Sequence, residues 1–230
     1  MSSTGLAVLT PTQARVLAVL VEKRHTVPDT YPMSLLALTA GCNQRTSRDP
    51  VMDLSEAQVQ EAIDVLRPRS LVIESSGGRV MRYSENAGRV LGLPRESVAL
   101  LAVLMLRGPQ TAAELRAHCE RLHRFSDVSS VEAYLEELAG AAPEPFVVRL
   151  AVQPGSRESR WAHALCGRPV AESDLSNIPR DAVLDRVVPV SAAIESSVSS
   201  DALLRRLDAL EQRVAFLESE LRLWRSGATP

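Results

Sequence analysis

The sequence predicts an α+β chain, mainly α, in which a unit of three helices and a strand hairpin occurs twice and a flexible linker leads to a C-terminal coiled-coil helix. Three observations carry this prediction. The order of helical and strand-like segments recurs at an interval of about 75 to 85 residues. The composition then shifts to Ser, Ala, Val, Asp and Pro without a usable period from residue 166 to 200, and a heptad pattern occupies residues 201 to 225.

Thr10-Pro11-Thr12-Gln13 places a Thr N-cap, a Pro at the first helical position and a Gln three residues after the cap, so a helix is expected from residue 10 to 24. Leu17, Leu20 and Val21 form its apolar face. Ser34 is positioned to cap a second helix lined by Leu35, Leu38 and Cys42. A polar stretch from Gly41 to Glu56 follows, rich in amides, hydroxyls and arginine and punctuated by Asp49-Pro50. Ser55 to Gln58 is a further capping box, and Val59, Ala62, Ile63 and Leu66 give a third helix one buried face. Leu71 to Ser76 and Arg79 to Ser84 read as strands joined by a two-residue Gly77-Gly78 turn.

The second unit repeats each element. Leu101-Ala-Val-Leu104 echoes Leu17-Ala-Val-Leu20. Thr111 to Glu114 caps a second helix ending near Cys119, as its counterpart ends near Cys42. Val131, Tyr134, Leu135 and Leu138 line a third helix, and Phe146 to Val152 with Ser159 to Leu165 form the hairpin through Pro154-Gly155. Helix, helix, turn, helix, hairpin is the order of a winged helix. Residues 8–92 and 93–165 are therefore expected to be two tandem winged-helix domains, followed by the linker 166–200 and the coiled-coil helix 201–225.

Leu203, Leu207, Leu210, Val214, Leu217, Leu221 and Trp224 alternate steps of four and three, the a and d positions of a coiled coil. Arg206 and Glu211, Arg213 and Glu218, and Glu220 and Arg225 stand five residues apart at g and e, so each pair is opposite in charge across a parallel seam. A helix of this length gains from a partner. The expectation is self-association, as a parallel homodimer or a higher-order coiled coil. The alternative is a helix that folds back on its own domains.

At 230 residues, with 45% hydrophobic residues and a net charge of −2, the chain has the composition of an ordinary globular protein. No apolar run approaches the roughly 18 to 20 residues that a membrane span needs. The N-terminus carries no secretory signal pattern, so a cytoplasmic protein without a membrane partner is expected. The three cysteines form no C-x-x-C pair, and reduced thiols are expected. No phosphate-binding, dinucleotide, zinc-protease or serine-hydrolase motif occurs, so neither an enzyme nor a cofactor is predicted. Cys119 with His123, and His163 with Cys166, could approach a metal, but a closed zinc site needs four well-spaced ligands. Ordinary core thiols and hydrogen-bonded histidines account for them.

For nucleic acid the charge signals conflict. Lys and Arg against Asp and Glu count +10 and −9 over residues 8–92, and +8 and −9 over 93–165, so neither half is basic. The third helices turn carboxylates outward: Glu61 and Asp64 in the first, Glu132, Glu136 and Glu137 in the second. The turns and hairpins are richer in arginine. Asn43, Gln44, Arg45 and Arg48 precede the first recognition-type helix and Arg79 and Arg82 stand on its hairpin, where arginines would hold phosphates and amides would lie near bases. Arg121, Arg124, Arg157 and Arg160 are the second unit's counterparts. Two functions follow as expectations: a DNA-binding, transcription-regulating protein that contacts double-stranded DNA through the first turn and wing, and alternatively a module that docks another protein without touching nucleic acid.

Tyr31-Pro-Met-Ser34, Ala37-Leu-Thr39, Cys42-Asn-Gln-Arg-Thr-Ser-Arg-Asp-Pro-Val-Met52, Arg107-Gly-Pro-Gln-Thr-Ala-Ala-Glu-Leu-Arg116, Phe125-Ser-Asp127, Phe146-Val-Val-Arg-Leu150 and Arg157-Glu-Ser-Arg160 resemble the YceH-like (UPF0502) bacterial proteins over about residues 8 to 165. The resemblance implies tandem winged helices and a coiled-coil tail. It carries over no activity and no functional residue. Where that family's polar turn has Lys or Asn, this chain has Arg45 and Ser47, which keeps charge and polarity.

Overall fold

Thr10 starts the first helix, α1 (Pro11–Thr26), by accepting from the Gln13 N–H while Gln13 Oε1 accepts from the Thr10 N–H. A 3-10 turn at Pro28–Thr30 leads to a two-residue strand, β1 (Met33–Ser34), and Ser34 caps α2 (Leu35–Cys42). Ser55 closes the capping box of α3 (Glu56–Leu66), which buries Val59, Ala62, Ile63 and Leu66, the four positions its periodicity selects. Strands β2 (Val72–Ser75) and β3 (Arg82–Glu85) follow, and a short helix α4 (Ala87–Leu91) ends on Gly92, whose φ of 67° suits glycine. In the second unit, α5 (Arg95–Arg107), α6 (Ala112–Cys119, boxed by Thr111) and α7 (Val128–Ala139) precede β4 (Val147–Arg149) and β5 (Trp161–His163).

The computed structural model describes residues 8–76, 80–152, 155–156 and 158–167, all within a single unit, Met1–Asp174. Arg79, Arg157 and the heptad residues Leu203, Leu207, Leu210, Val214, Leu217, Leu221 and Trp224 lie outside the described residues. Among the described residues the chain is α+β with helix predominating, and no helix is long and apolar enough to cross a membrane.

The first sheet is antiparallel with order β1-β3-β2. Its register puts Ser75 opposite Arg82. A two-residue turn at Gly77-Gly78 would set Ser75 opposite Val80, so the hairpin is offset from the expected register. β1 and α4 are elements the sequence did not announce, each too short to show a period. In the second sheet β4 pairs β5 antiparallel, and Gln110 forms an isolated bridge with Trp161. Gln110 stands just before the cap of α6, as Met33 and Ser34 stand just before or at the cap of α2. The repeat thus extends to the backbone pairing that ties each second helix to its hairpin.

The core is one continuous cluster running through both helix-and-hairpin repeats. Every residue from Gln13 to Val21 in α1, and from Ser97 to Leu106 in α5, is buried. Both helices are covered on all sides over these runs, and apart from Gln13, Arg15 and Ser97 the covered residues are apolar. α1 packs on α2 and α3 with one flank and on α5 with the other, which is why Val16, Ala18 and Val19 are as buried as the face marked by Leu17, Leu20 and Val21.

Candidate functional site: the polar turn between α2 and α3

The turn of residues 43–55 begins where α2 comes close to α1. A Cβ at Gly41 would stand 2.7 Å from Val19 Cγ1, and a β-branched side chain fixed in a helix cannot swing away. Gly41→Ala is expected to destabilise the protein by about 1 to 3 kcal/mol through overpacking, measured as a lower urea midpoint with an unchanged slope.

From there the polar atoms turn inward. Asn43 clamps the two ends of the loop, donating from Nδ2 to the Leu54 carbonyl at 2.8 Å and accepting the Leu54 N–H at 2.8 Å. Arg15 rises from the buried middle of α1, only 1% exposed, and donates to the carbonyls of Cys42 at 3.0 Å and Pro50 at 2.7 Å. Arg48 reaches back in the other direction. Its side chain is fully buried, with Nη2 2.5 Å from Glu22 Oε2, Nε and Nη2 on the Gly41 carbonyl, and Nη1 on the Ser47 carbonyl. Gln44 Oε1 accepts from Lys23 Nζ at 3.1 Å.

The same turn is fastened to the second unit. The Asp49 N–H donates to the Leu106 carbonyl at 2.8 Å and Arg107 Nη2 donates to Ser47 Oγ at 2.6 Å. Ser47 itself has φ 61°, a left-handed conformation uncommon outside glycine. A turn of this length carries many backbone carbonyls that no helix or sheet ladder satisfies, and the two arginines supply their donors.

Electrostatically the knot sets buried Arg15 and Arg48 against Glu22 and Asp49. Burial lowers the Arg15 pKa and the neighbouring Arg48 lowers it further, against the opposing influence of Cys42, Asp49 and Glu22. Burial pushes the Cys42 thiol up to about 12 although both guanidiniums favour its thiolate, and burial likewise raises Cys119 to about 12. Both are unreactive core thiols at neutral pH. Among the described residues no group of three His, Cys, Asp or Glu side chains gathers in a way that could hold a metal ion.

The expected contact residues therefore separate. Arg48 is corrected from a surface residue to a buried cation, while half-buried Asn43 clamps the loop and half-buried Gln44 accepts from Lys23 and donates to Thr46 Oγ1. Arg82 is exposed and donates to the Pro32 carbonyl at 2.8 Å. Arg45 is exposed and, among the described residues, has no hydrogen bond or ion pair. In the second unit Arg160 is held by the Pro109 carbonyl and Glu114, and Arg124 by Glu120, while Arg121 is exposed. The outward face of α3 carries Glu56, Ala57, Glu61 and Asp64, with Gln60 held by Tyr83 and Asp64.

Sequence reading missed Arg15 and Glu22. The available signal was Arg15 itself, a charge inside the apolar run Ala14 to Val21, where a solvated face would have shown more than one polar position.

The chain matches, over residues 9–156, the family described as "Protein of unknown function, DUF480". A UPF0502 protein of Paraburkholderia phymatum is 55% identical over 217 residues, 94% of this chain and 91% of that protein. A UPF0502 protein of Leptothrix cholodnii is 66% identical over 159 residues, covering 69% and 71%. One from Burkholderia orbicola is 53% identical over 214 residues, covering 92% and 89%.

Proposed function

The chain belongs to the UPF0502 family, and from that premise we propose that it is a non-catalytic protein-docking module made of two tandem winged helices. The repeated element order supports the winged-helix reading, as does a first sheet in which the strand before α2 pairs with the last strand of the hairpin. The observation that carries docking is the first wing. Its hairpin presents Ile73, Val80 and Met81 to solvent at 46%, 57% and 40% exposure. Arg82 on this hairpin is turned to the Pro32 carbonyl, and apolar side chains on an exposed rim suit a protein surface.

The heptad of residues 203 to 224 supports presentation of the module in two copies. Light scattering on the full chain and on a chain ending at Ser200 tests this, and equal masses would exclude self-association through the tail.

A second reading, contact with double-stranded DNA, is favoured by Arg45, whose guanidinium is exposed and unpaired among the described residues. One experiment separates the two. The tagged chain and its Val80→Asp/Met81→Asp variant are used to retrieve partners at moderate salt after nuclease treatment, and both are titrated against labelled duplex at low salt. Docking expects a protein retained by the parent chain and lost from the wing variant, with no duplex shift. A salt-dependent shift abolished by Arg45→Ala, with no nuclease-resistant partner, would replace docking with DNA binding.

A further inference from the structure

Arg24 and His25 at the end of α1, Glu85 at the end of β3, Arg89 in α4 and Arg95 at the start of α5 line one open cleft of about 540 Å³, with Leu93 and Val98 also in its wall. We propose that this cleft binds a small phosphorylated anion. It lies at the far end of β3 from the wing tip and is independent of the docking reading.

Its charge balance is the first ground. Three arginines face the cleft and Glu85 is the single acidic residue among those lining it. Glu85 is already engaged: its carboxylate takes Arg24 on Oε1 and the Ala87 N–H on Oε2 at 2.8 Å, and its side chain is 4% exposed. Arg89 and Arg95 are exposed and have no hydrogen bond or ion pair among the described residues. Among the described residues Arg15, Arg48, Arg82, Arg116, Arg124, Arg149 and Arg160 are bound to carbonyls or carboxylates and Arg107 to the Ser47 hydroxyl. Arg45 and Arg121 are exposed like Arg89 and Arg95 but do not line this cleft.

The second ground is the chemistry of the ligand that would fit. A lone carboxylate is satisfied by one guanidinium, whereas a phosphoryl group with two or more charges and three oxygens uses several planar forks at once. A cleft of this size is within the range of small-molecule sites, and Leu93 and Val98 give an apolar wall for the uncharged part of such a ligand. The local field agrees: burial lowers the pKa of His25, Arg24, Arg95 and His123 lower it further, and Glu85 alone opposes them. His123 itself stands 3.9 Å from Glu96.

Isothermal calorimetry of the full chain with sodium pyrophosphate tests the site, with citrate and a duplex oligonucleotide as parallel probes. The expected result is saturable single-site pyrophosphate binding, weakened at least about tenfold in Arg89→Gln/Arg95→Gln, weakened less in Arg95→Lys, which keeps charge and loses the fork, and unchanged in Arg45→Gln. His25 gives an independent readout, since a bound anion raises its pKa in a proton NMR titration. The assignment is overturned by absence of saturable binding at millimolar pyrophosphate, by equal weakening in Arg45→Gln, by citrate binding as tightly as pyrophosphate, or by a duplex that depends on Arg89 and Arg95 when pyrophosphate does not bind.

Discussion

Replacing Arg48 by Ala is expected to destabilise the protein by about 3 to 5 kcal/mol, the range for removing one member of a buried ion pair. The guanidinium is fully buried, and its removal leaves Glu22, whose side chain is 13% exposed, with only the longer Lys23 pair at 3.6 Å as its ion pair among the described residues. The Gly41 and Ser47 carbonyls lose their donors at the same time. Urea denaturation checks the magnitude, and Arg45→Ala in the neighbouring exposed position is the control, expected within about 0.5 kcal/mol of the parent. A loss for Arg48→Ala no larger than the control's would mean that the turn does not depend on its inward arginine. Arg48→Met, which fills the space without the charge, is expected to be intermediate because Glu22 is left to find water at the edge of the site.

The contrast between Arg45 and Arg48 shows what the sequence could and could not convey about this turn. Both residues are arginines in one polar stretch, three positions apart, and nothing local distinguishes the one that meets solvent from the one that meets backbone carbonyls. The difference arises from α1, which lies some 25 residues upstream and offers Glu22 on its flank. Long-range pairing of this kind has no periodicity to read. Elements whose determinants are local were legible: the three capping boxes at Thr10, Ser55 and Thr111 form as written, and α3 buries the face its spacing marks. At α7 the cap is Asp127, which accepts the Ser130 N–H, so the second turn spans residues 120–127 and is shorter than the first. The surplus of the first turn proves to be the material that binds α1 to α5, and an exposed recognition surface is only a small part of it. Val80 and Met81 belong to the strand-like run Arg79 to Ser84, but β3 starts at Arg82, so both stand outside the ladder with exposed apolar side chains.

That joint also bears on whether the two repeats unfold separately. Leu20 is completely buried in α1, in the first repeat, while Trp161 is 3% exposed in β5, in the second. A Trp224→Phe background leaves Trp161 as the sole tryptophan of the two in the chain, so its fluorescence reports on the second repeat alone. In that background Leu20→Ala is expected to lower the stability read at Trp161 by about 2 to 5 kcal/mol, the cost of a core cavity. The reason is that α1 and α5 share one cluster, and the Asp49 to Leu106 and Arg107 to Ser47 bonds cross between the repeats. A single transition, displaced equally when followed by far-ultraviolet circular dichroism and by Trp161, is the signature of one cooperative unit. If Trp161 instead reports an unshifted midpoint while the helical signal loses an early phase, the repeats are independent folding units, and the bonds across the turn would be contacts between domains.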